Sequence, residues 1–186
     1  MKKVCVIVPA YNEGPVIAEV INVAKKSFSK NKRYNIDIVV INDGSKDSTA
    51  AEVKKTGTPV IDHILNSGAG GATLTGLSYA HQKGYDIVAT MDADGQHAPE
   101  DVLEGIRQLD KQKVDLLIGS RLIDSEGMSK TKVLGNKGLS FITKLLFGVN
   151  VTDSQSGLRM YARAAIDKLE WKTTGYEFCS GICRPD

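Results

Sequence analysis

The sequence has little cysteine, few aromatic residues and no long apolar run. Its 186 residues include three cysteines, one tryptophan and 6% aromatic residues. Three cysteines are too few for the disulfide framework of a small secreted protein, and Cys179 and Cys183, four apart, give only a weak metal signal. No stretch approaches the roughly 20 apolar residues that span a bilayer, and Pro9 ends the first apolar run too early for a signal peptide. We therefore expect an intracellular protein that is soluble or bound at a membrane surface.

An excess of charge of one sign is also missing. The 24 lysine and arginine residues nearly balance 22 acidic residues, which leaves a net charge of +2. Dedicated nucleic-acid-binding domains carry a strong basic footprint, so this class is not indicated. Contents of 41% hydrophobic and 25% charged residues are ordinary for a globular domain and do not fit disordered, collagen-like or coiled-coil chains. We expect one domain over residues 1–186.

Short apolar runs alternate with segments of helical periodicity. The runs are rich in β-branched residues and comprise residues 4–8, 36–41, 59–65, 86–91 and 115–118. Such runs suit strands that are buried on both faces of a parallel sheet. The order β-α-β-α-β-α-β-α-β predicts an α/β fold with a doubly wound, mainly parallel sheet over about residues 1–120. Within this range we expect one of the helices over residues 72–83. Beyond it we expect a helix over residues 130–147, a short strand over residues 158–162 and a short helix over residues 164–169.

The turn after the first predicted strand lacks a dinucleotide-binding fingerprint. Residues 9–14 read PAYNEG, without the G-x-G-x-x-G pattern, and the chain has no P-loop. A glycine-rich stretch, residues 68–71, follows the third predicted strand instead. Within residues 9–14, Asn12 or Glu13 would serve as the cap of the next helix on structural grounds alone.

Polar side chains follow the predicted strands, at the edge where open α/β sheets bind ligands. Asp43 comes directly after the second strand. Asp47 or Ser48 is sufficient to cap the following helix, so Asp43 is not needed for that purpose. Its carboxylate suits a hydrogen bond to a ribose or to the edge of a base, and turn chemistry is the alternative.

Asp92 and Asp94 follow the fourth strand, two apart in a segment that we predict to be extended. Their side chains should then point to one side. Two adjacent carboxylates repel each other, and a divalent cation would relieve the repulsion; Mg²⁺ typically takes one or two carboxylates plus substrate phosphates. A calcium loop is excluded, because its sixth and twelfth positions would be His97 and Leu103. His97 is either a ligand or a structural residue at the helix entry.

Two segments after the fifth strand suit anion binding. Arg121 follows that strand directly, and residues 153–159 place Asp, Ser, Gly and Arg close together. Arginine at a strand end reaches phosphate oxygens or forms a surface ion pair. The predicted helix over residues 130–147 carries four lysines among apolar residues. It either packs on the core or lies at a membrane surface.

Taken together, the motifs resemble family 2 glycosyltransferases of the GT-A fold, a Rossmann-like sheet flanked by helices. The chain is most similar to the dolichol-phosphate mannosyltransferase and polyprenyl-phosphate glycosyltransferase branch, whose members show D-A-D-x-Q-H-x-P-E, then G-S-R, then D-x-x-S-G-x-R. These patterns occur here at residues 92–100, 119–121 and 153–159, and a G-Y-E-F element follows at 175–178. The chain departs from that branch at Gly95, where a larger apolar residue is common, and at Asn136 and Lys137, where arginine is common.

The resemblance implies transfer of a sugar, with inversion, from a UDP- or GDP-sugar to a polyprenyl phosphate, with Mg²⁺ or Mn²⁺ as cofactor. The residues that it implies for binding of the nucleotide-sugar are Pro9, Ala10, Tyr11, Glu13, Asp43, Gly70, Asp92, Ala93, Asp94 and Arg121. Those implied for the metal are Asp92, Asp94 and Gln96, and those for the acceptor phosphate are Lys137, Ser156 and Arg159. The catalytic group would comprise Asp92, Asp94, Arg121, Asp153 and Arg159.

Other interpretations stay open from the sequence. A hydroxyl acceptor would require a carboxylate base, for which Asp153 and Glu177 are the candidates. A nucleotidyltransferase shares the sheet and the paired carboxylates but usually has a basic glycine-rich loop where residues 9–14 are acidic. A non-catalytic nucleotide-sugar-binding module is the third alternative.

The resemblance also implies an organisation for the chain. Residues 1–120 would bind the nucleotide-sugar, and residues 121–186 would form the acceptor side of the same domain. Related enzymes carry transmembrane helices after the catalytic domain, so we expect this chain to be either a truncated or a natural short form. We expect it at the cytoplasmic face of a membrane.

Overall fold

A six-stranded mixed sheet organises residues 1–119 and 157–169, the part of the chain that the computed structural model describes. The strands are β1 (Lys2–Ala10), β2 (Tyr34–Asn42), β3 (Val60–Asp62), β4 (Ile87–Thr90), β5 (Leu116–Ile118) and β6 (Arg159–Ala162). The helices are α1 (Ile17–Phe28), α2 (Thr49–Lys55), α3 (Gly68–Gln82), α4 (Pro99–Gln112) and α5 (Arg163–Lys168). Strands lie in the order β3-β2-β1-β4-β6-β5, and the predicted α/β class is confirmed.

The sheet is parallel on one side and antiparallel on the other. β1 pairs in parallel with β2 and β4, and β2 pairs in parallel with β3. β6 lies between β4 and β5 and is antiparallel to both. The short strand predicted near residues 158–162 therefore fills an interior position, next to the edge strand β5. Because β6 begins at the edge where β4 ends, Gly157, two positions before β6, lies at the carboxyl end of β4.

The central strand β1 is buried on both faces, as its β-branched composition predicts. Val4, Val6 and Val8 belong to the core beneath α1 and α4, and Cys5 and Ile7 belong to the core beneath α3. All five side chains are fully buried. Burial, with a smaller contribution from Asp37, raises the pKa of the Cys5 thiol to about 12, so it stays protonated and behaves as a core residue.

Some predicted boundaries are wrong. The third apolar run, predicted over residues 59–65, forms a strand only at Val60–Asp62. Ile64 and Leu65 are 97% and 79% exposed, so their apolar character does not reflect burial. Helix α3 begins at Gly68 rather than at residue 72 and takes up the glycine-rich stretch.

Of the elements predicted after residue 120, the structure describes the short strand and the short helix. The short strand and helix after residue 158 are confirmed as β6 and α5. The helix predicted over residues 130–147, and also Cys179 and Cys183, lie outside the described residues. Within residues 1–119 and 157–169, none of the helices has the length and apolar character needed to cross a bilayer.

Two glycines let helices lie close against the sheet. A Cβ on Gly76 of α3 would lie 2.8 Å from Cδ1 of Ile7 and closer still to its Cγ2. A Cβ on Gly105 of α4 would lie 2.7 Å from Sδ of Met160 and closer to its Cε. Ile7 is β-branched and fully buried in β1, whereas Met160 ends in a flexible thioether that can change rotamer.

We expect Gly76→Ala to destabilise the fold by about 1–3 kcal/mol, the usual cost of overpacking a core. We expect Gly105→Ala to cost much less, because Met160 can move and alanine gains about 1 kcal/mol of helix propensity over glycine. Urea denaturation of both variants measures the difference. Equal losses of unfolding free energy would contradict this account of the two contacts.

Candidate functional site

The loops that follow β1, β2 and β4 meet at one edge of the sheet. In the register of the sheet, Ala10 at the end of β1 lies opposite Asn42 at the end of β2. Thr90 at the end of β4 lies opposite Ile7 of β1. The predicted site residues in these three loops, which are far apart in sequence, are therefore brought to the same edge, where parallel sheets bind ligands.

Asn12 connects the first two loops. Its backbone adopts a left-handed conformation with φ of 57°. Its backbone N–H donates to Oγ of Ser45 at 2.9 Å, and its side-chain Oδ1 accepts from the backbone N–H of Lys46 at 2.9 Å. Close by, the N–H of Gly14 donates to Oδ2 of Asp47 at 2.9 Å. These bonds fix the β1–α1 loop to the β2–α2 loop.

The capping alternative for Asn12 and Glu13 is wrong in its details. Helix α1 has no side-chain cap, and the N–H groups of Val16 and Ile17 bond to the backbone carbonyl of Glu13 instead. The Glu13 carboxylate is therefore not used for that purpose. Burial raises the pKa of Glu13, and the carboxylates of Asp94 and Asp47 raise it further. The negative charge of Asp94 is thus felt at Glu13, across the loops that follow β4 and β1.

The cap of α2 is provided by Asp47. Its Oδ1 accepts from the N–H of Thr49 at 2.9 Å, whereas Ser48 makes no side-chain cap bond. Hydrogen bonds from Thr49 lower the pKa of Asp47. The prediction that Asp43 is not needed for this cap is confirmed.

Asp43 lies at the centre of a hydrogen-bond network that holds the β3–α3 loop. Its side chain is buried, and its Oδ1 accepts from the N–H of Ser67 at 2.8 Å and from the Ser67 hydroxyl at 2.7 Å. Nδ1 of His63 lies 2.7 Å from the same oxygen, and Nε2 of His63 lies 2.9 Å from Oγ1 of Thr75. Burial raises the pKa of Asp43, but the hydrogen bonds from Ser67 and His63 outweigh it, so the pKa lies below its ordinary value.

His63 and Ser67 are site residues that sequence reasoning missed. Residue 63 fell within a run predicted to be a strand, and Ser67 preceded a helix predicted to begin later. Although Ser, His and Asp are present, they do not form a nucleophilic triad. Both the Ser67 hydroxyl, at 3.0 Å, and Asp43 contact Nδ1 of His63, whereas a triad places serine and aspartate on different ring nitrogens.

The segment after β4 is a turn, so the extended geometry predicted for Asp92 and Asp94 is wrong. β4 ends at Thr90, and residues 93 and 94 form the turn. Gly95 has φ of +76°, and the N–H of Gln96 donates to Oδ1 of Asp94 at 2.9 Å. Asp94 is exposed at the tip of this turn, whereas the Asp92 side chain is 34% exposed.

His97 is buried behind Asp92. Its Nδ1 accepts a hydrogen bond from the backbone N–H of Asp92 at 3.2 Å. An Nδ1 that accepts this bond carries no proton, so the ring proton lies on Nε2 and the 3.4 Å separation between Nδ1 and Oδ2 of Asp92 is not a hydrogen bond. In this tautomer the nitrogen nearest the carboxylates is already used by the backbone, which favours the structural role of His97.

The carboxylates of this turn fit a metal that is completed by its substrate. Within the described part of the chain, no three His, Cys, Asp or Glu side chains are grouped so as to hold a metal ion. A dedicated all-protein site is therefore not formed there. Asp92 and Asp94 nevertheless offer the hard oxygen ligands that Mg²⁺ and Mn²⁺ prefer, and a Mg²⁺ site commonly takes only one or two carboxylates plus phosphate oxygens.

The remaining predicted residues have varied environments. Pro9 and Ala10 end β1, Tyr11 is 44% exposed, Ala93 is buried in the turn after β4, and Gly70 is buried in the first turn of α3.

The predicted acceptor side is described only in part. Arg159 begins β6, is buried, and lies opposite Thr90 in the register of the sheet. The predicted residues that lie outside the described part of the chain are Arg121, Lys137, Asp153, Ser156 and Glu177.

Comparisons with known proteins show the family of the chain. A family model described as glycosyl transferase family 2 matches residues 5–170. The chain is 39% identical over 201 residues to a UDP-N-acetylglucosamine–dolichyl-phosphate N-acetylglucosaminyltransferase of Methanococcus voltae, covering 96% of this chain and 78% of the relative. It is 30% identical to an undecaprenyl-phosphate mannosyltransferase of Micrococcus luteus, covering 95% of this chain and 74% of that protein.

Among solved structures, the chain is similar to glucosyl-3-phosphoglycerate synthase from Mycobacterium tuberculosis in complex with UDP. The TM-score is 0.67 at 20% identity, over 97% of this chain and 64% of the solved chain. The chain thus spans a little less than two thirds of that structure. The same enzyme has been crystallised with Mn²⁺ and UDP-glucose, at a TM-score of 0.66 and 19% identity. At this identity the likeness shows the fold, and the predicted GT-A architecture is confirmed.

Proposed function

The chain belongs to glycosyl transferase family 2, and from this premise we propose that it transfers a sugar from a nucleotide-sugar to a polyprenyl phosphate. The observation that carries the proposal is the convergence of three loops at the carboxyl edge of the sheet, where the bonds of Asn12 and Gly14 join the first loop to the second. Relatives that cover nearly the whole chain are named for dolichyl-phosphate and undecaprenyl-phosphate acceptors. Their names support a lipid phosphate as the acceptor here.

We assign the nucleotide-sugar to the surface that these loops form. Pro9, Ala10 and Tyr11 border it from β1, and Gly70 borders it from the start of α3. Asp43 contributes by fixing the β3–α3 loop, since its Oδ1 is bonded to Ser67 and His63. Residues 1–120 accordingly form the donor side of the domain.

Asp92 and Asp94, with Gln96 beside them, would hold the divalent cation. When bound, Mg²⁺ or Mn²⁺ supplies Lewis-acid stabilisation of the charge that develops on the diphosphate leaving group. Glu13 lies near Asp94 and adds negative charge to this part of the site, which strengthens its preference for a cation. Ala93, buried between the two aspartates, anchors the turn to the core.

The acceptor phosphate requires orientation rather than a general base. A phosphate monoester has a second pKa near ~6 and is already an anionic nucleophile at neutral pH. Arg159, at the start of β6, is the described residue that we assign to this side, together with Arg121, Lys137 and Ser156. The cationic groups of the two arginines and the lysine would offset the repulsion between two anionic substrates, and the Ser156 hydroxyl would donate to a phosphate oxygen. Direct displacement by the phosphate oxygen would invert the anomeric centre.

A hydroxyl acceptor would place a different demand on the protein. Asp153 or Glu177 would then have to remove the proton from the attacking hydroxyl. The names of the relatives that cover nearly the whole chain favour the phosphate. A lipid acceptor would also bring the protein to a membrane surface, at the cytoplasmic face where nucleotide-sugars are available.

A binding and transfer experiment tests the proposal. Calorimetric titration with UDP, GDP, UDP-glucose, UDP-N-acetylglucosamine and GDP-mannose, each with and without Mn²⁺, should show Mn²⁺-dependent binding of one base family. The nucleotide-sugar that binds is then prepared with a radiolabel in its sugar. The protein is incubated with this labelled donor and either undecaprenyl phosphate or undecaprenol. We expect label in the lipid phase only with the phosphate. Transfer to undecaprenol instead would contradict a phosphate acceptor, and no Mn²⁺-dependent binding would contradict the donor site.

A further inference from the structure

Gly157 packs directly against the carboxylate of Asp92. A Cβ at position 157 would lie 2.5 Å from both Cγ and Oδ2 of Asp92, and closer still to Oδ1. Contacts this short do not occur between non-bonded atoms, so any side chain at position 157 would displace the carboxylate. The position of the Asp92 carboxylate therefore depends on a glycine that is 65 residues away in sequence.

Thr90 holds the segment that carries Gly157. Its hydroxyl donates to the carbonyl oxygen of Gly157 at 2.5 Å, and its Oγ1 accepts from the backbone N–H of Arg159 at 3.0 Å. Thr90 is 3% exposed and is the last residue of β4, two positions before Asp92. The same threonine thus fixes the start of β6 relative to the turn that bears Asp92.

The two aspartates of the turn are held differently. The carboxylate of Asp92 packs against the backbone of Gly157. The backbone N–H of Asp92 donates a hydrogen bond to Nδ1 of His97. Asp94 is exposed at the tip of the turn and accepts a hydrogen bond from the N–H of Gln96. The Asp92 carboxylate is confined by packing against backbone, whereas the Asp94 carboxylate is exposed and held by one hydrogen bond within its own turn.

We propose that Gly157 and Thr90 are positioning residues for Asp92, which hold its carboxylate where the metal and diphosphate of a nucleotide-sugar bind. The inference rests on the proposed function and extends it to residues on β4 and at the entry to β6. A ligand oxygen that is fixed beforehand loses less conformational freedom when the metal binds, which raises affinity. Residues that orient metal ligands typically contribute 10–100-fold in affinity.

The first test replaces Gly157 by alanine. We expect Gly157→Ala to weaken Mn²⁺-dependent binding of the donor nucleotide by about 10-fold or more. Gly84→Ala is the matched control, because Gly84 lies before β4 at the opposite end of the strand, and an added Cβ would contact nothing within 4 Å. Its φ of +71° makes alanine strained there as well, so it reproduces a loss of stability without contact to Asp92. Equal donor affinities for the two variants would overturn the proposal.

The second test separates the hydroxyl of Thr90 from its shape. Thr90→Val keeps the branched shape and removes both hydrogen bonds, and Thr90→Ser keeps the hydroxyl. We expect the valine variant to lose about 10-fold in Mn²⁺-dependent donor affinity and the serine variant to recover most of it. Serine and valine variants of equally weak affinity would show that the hydroxyl does not position Asp92.

A double-mutant cycle measures the coupling between Gly157 and Asp92 from melting temperatures, without any ligand. Gly157→Ala should lower the melting temperature in the wild-type background and lower it less in an Asp92→Ala background, where the displaced carboxylate is gone. Equal shifts in both backgrounds would overturn the contact and the proposal with it. If the wild-type protein binds no nucleotide with Mn²⁺ but the cycle shows coupling, then the proposed function fails and the contact between Gly157 and Asp92 stands.

Discussion

Replacing Asp94 by alanine is expected to weaken Mn²⁺-dependent binding of the donor by at least about 100-fold, which corresponds to about 2.7 kcal/mol. Asp94 offers an exposed carboxylate at the tip of the turn after β4. Its described hydrogen bond is with the N–H of Gln96, which water can replace. The substitution therefore removes the proposed metal ligand and leaves the buried core unchanged, and the melting temperature should stay within about 2 °C of wild type.

Two further variants make the Asp94 measurement specific. Asp94→Asn keeps an oxygen for the Gln96 N–H and removes the charge, so it should be nearly as weak as alanine if the carboxylate binds the metal. Asp115→Ala removes an exposed carboxylate that pairs with Lys168 at 3.3 Å before β5, at the other end of the sheet, and should bind donor normally. Calorimetry with and without Mn²⁺ measures all three. An Asp94→Ala variant with wild-type affinity would remove Asp94 from the metal site.

Replacing Asp43 by alanine is expected to destabilise the fold by about 3 kcal/mol. The side chain is 3% exposed, and the Ser67 N–H, the Ser67 hydroxyl and the His63 ring all bond to its Oδ1. Removing the carboxylate breaks all three contacts with this buried, charged acceptor, and a hydrogen bond to a charged group contributes about 1.5–3 kcal/mol. Urea denaturation measures the loss. Asp115→Ala again serves as the control, since an exposed ion pair contributes about 0–1 kcal/mol.

The stability that Asp43 provides should disappear in acid. Burial raises its pKa, but the hydrogen bonds from Ser67 and His63 outweigh burial, so the folded-state pKa lies below the unfolded value, which is about 3.9. A group of this kind stabilises the fold fully above its unfolded pKa and loses that contribution as the pH falls through the folded pKa. The difference in unfolding free energy between wild type and Asp43→Asn should therefore be constant near pH 7 and shrink below about pH 4. A difference that stays constant into strong acid would contradict an ionised Asp43.

The alternation of elements and the location of the site were predictable from local patterns. The apolar β-branched runs indicated buried parallel strands because a strand covered on both faces has no polar side. Parallel strands also present their carboxyl ends at one edge, so polar residues after β1, β2 and β4 were predictable as neighbours. Asp43, Asp92 and Asp94 were selected as candidates in this way, and the structure places them at the same edge. Recognition of the family rested on the order and spacing of these same motifs.

Local patterns gave wrong strand boundaries at the ends of β3 and β4. The run over residues 59–65 looks like a strand because it is apolar, yet Ile64 and Leu65 are exposed. Asp92 and Asp94 looked extended because they follow a strand, but β4 ends at Thr90 and a turn begins. Hydrophobicity does not state where a strand loses its pairing partner, so neither boundary was available from composition.

The sequence by itself determined the α/β class, the family and the edge of the sheet at which the candidate site lies, because each follows from short motifs whose residues are neighbours in the chain. Only the tertiary structure decided that β6 inserts between β4 and β5, that Thr90 bonds to the Gly157 carbonyl, and that His63 and Ser67 surround Asp43. These contacts join residues that are 20 positions apart for Asp43 and His63, 67 for Thr90 and Gly157, and up to 75 for the pairing of β4 with β6. Their formation depends on how whole elements pack against one another, which no local periodicity encodes.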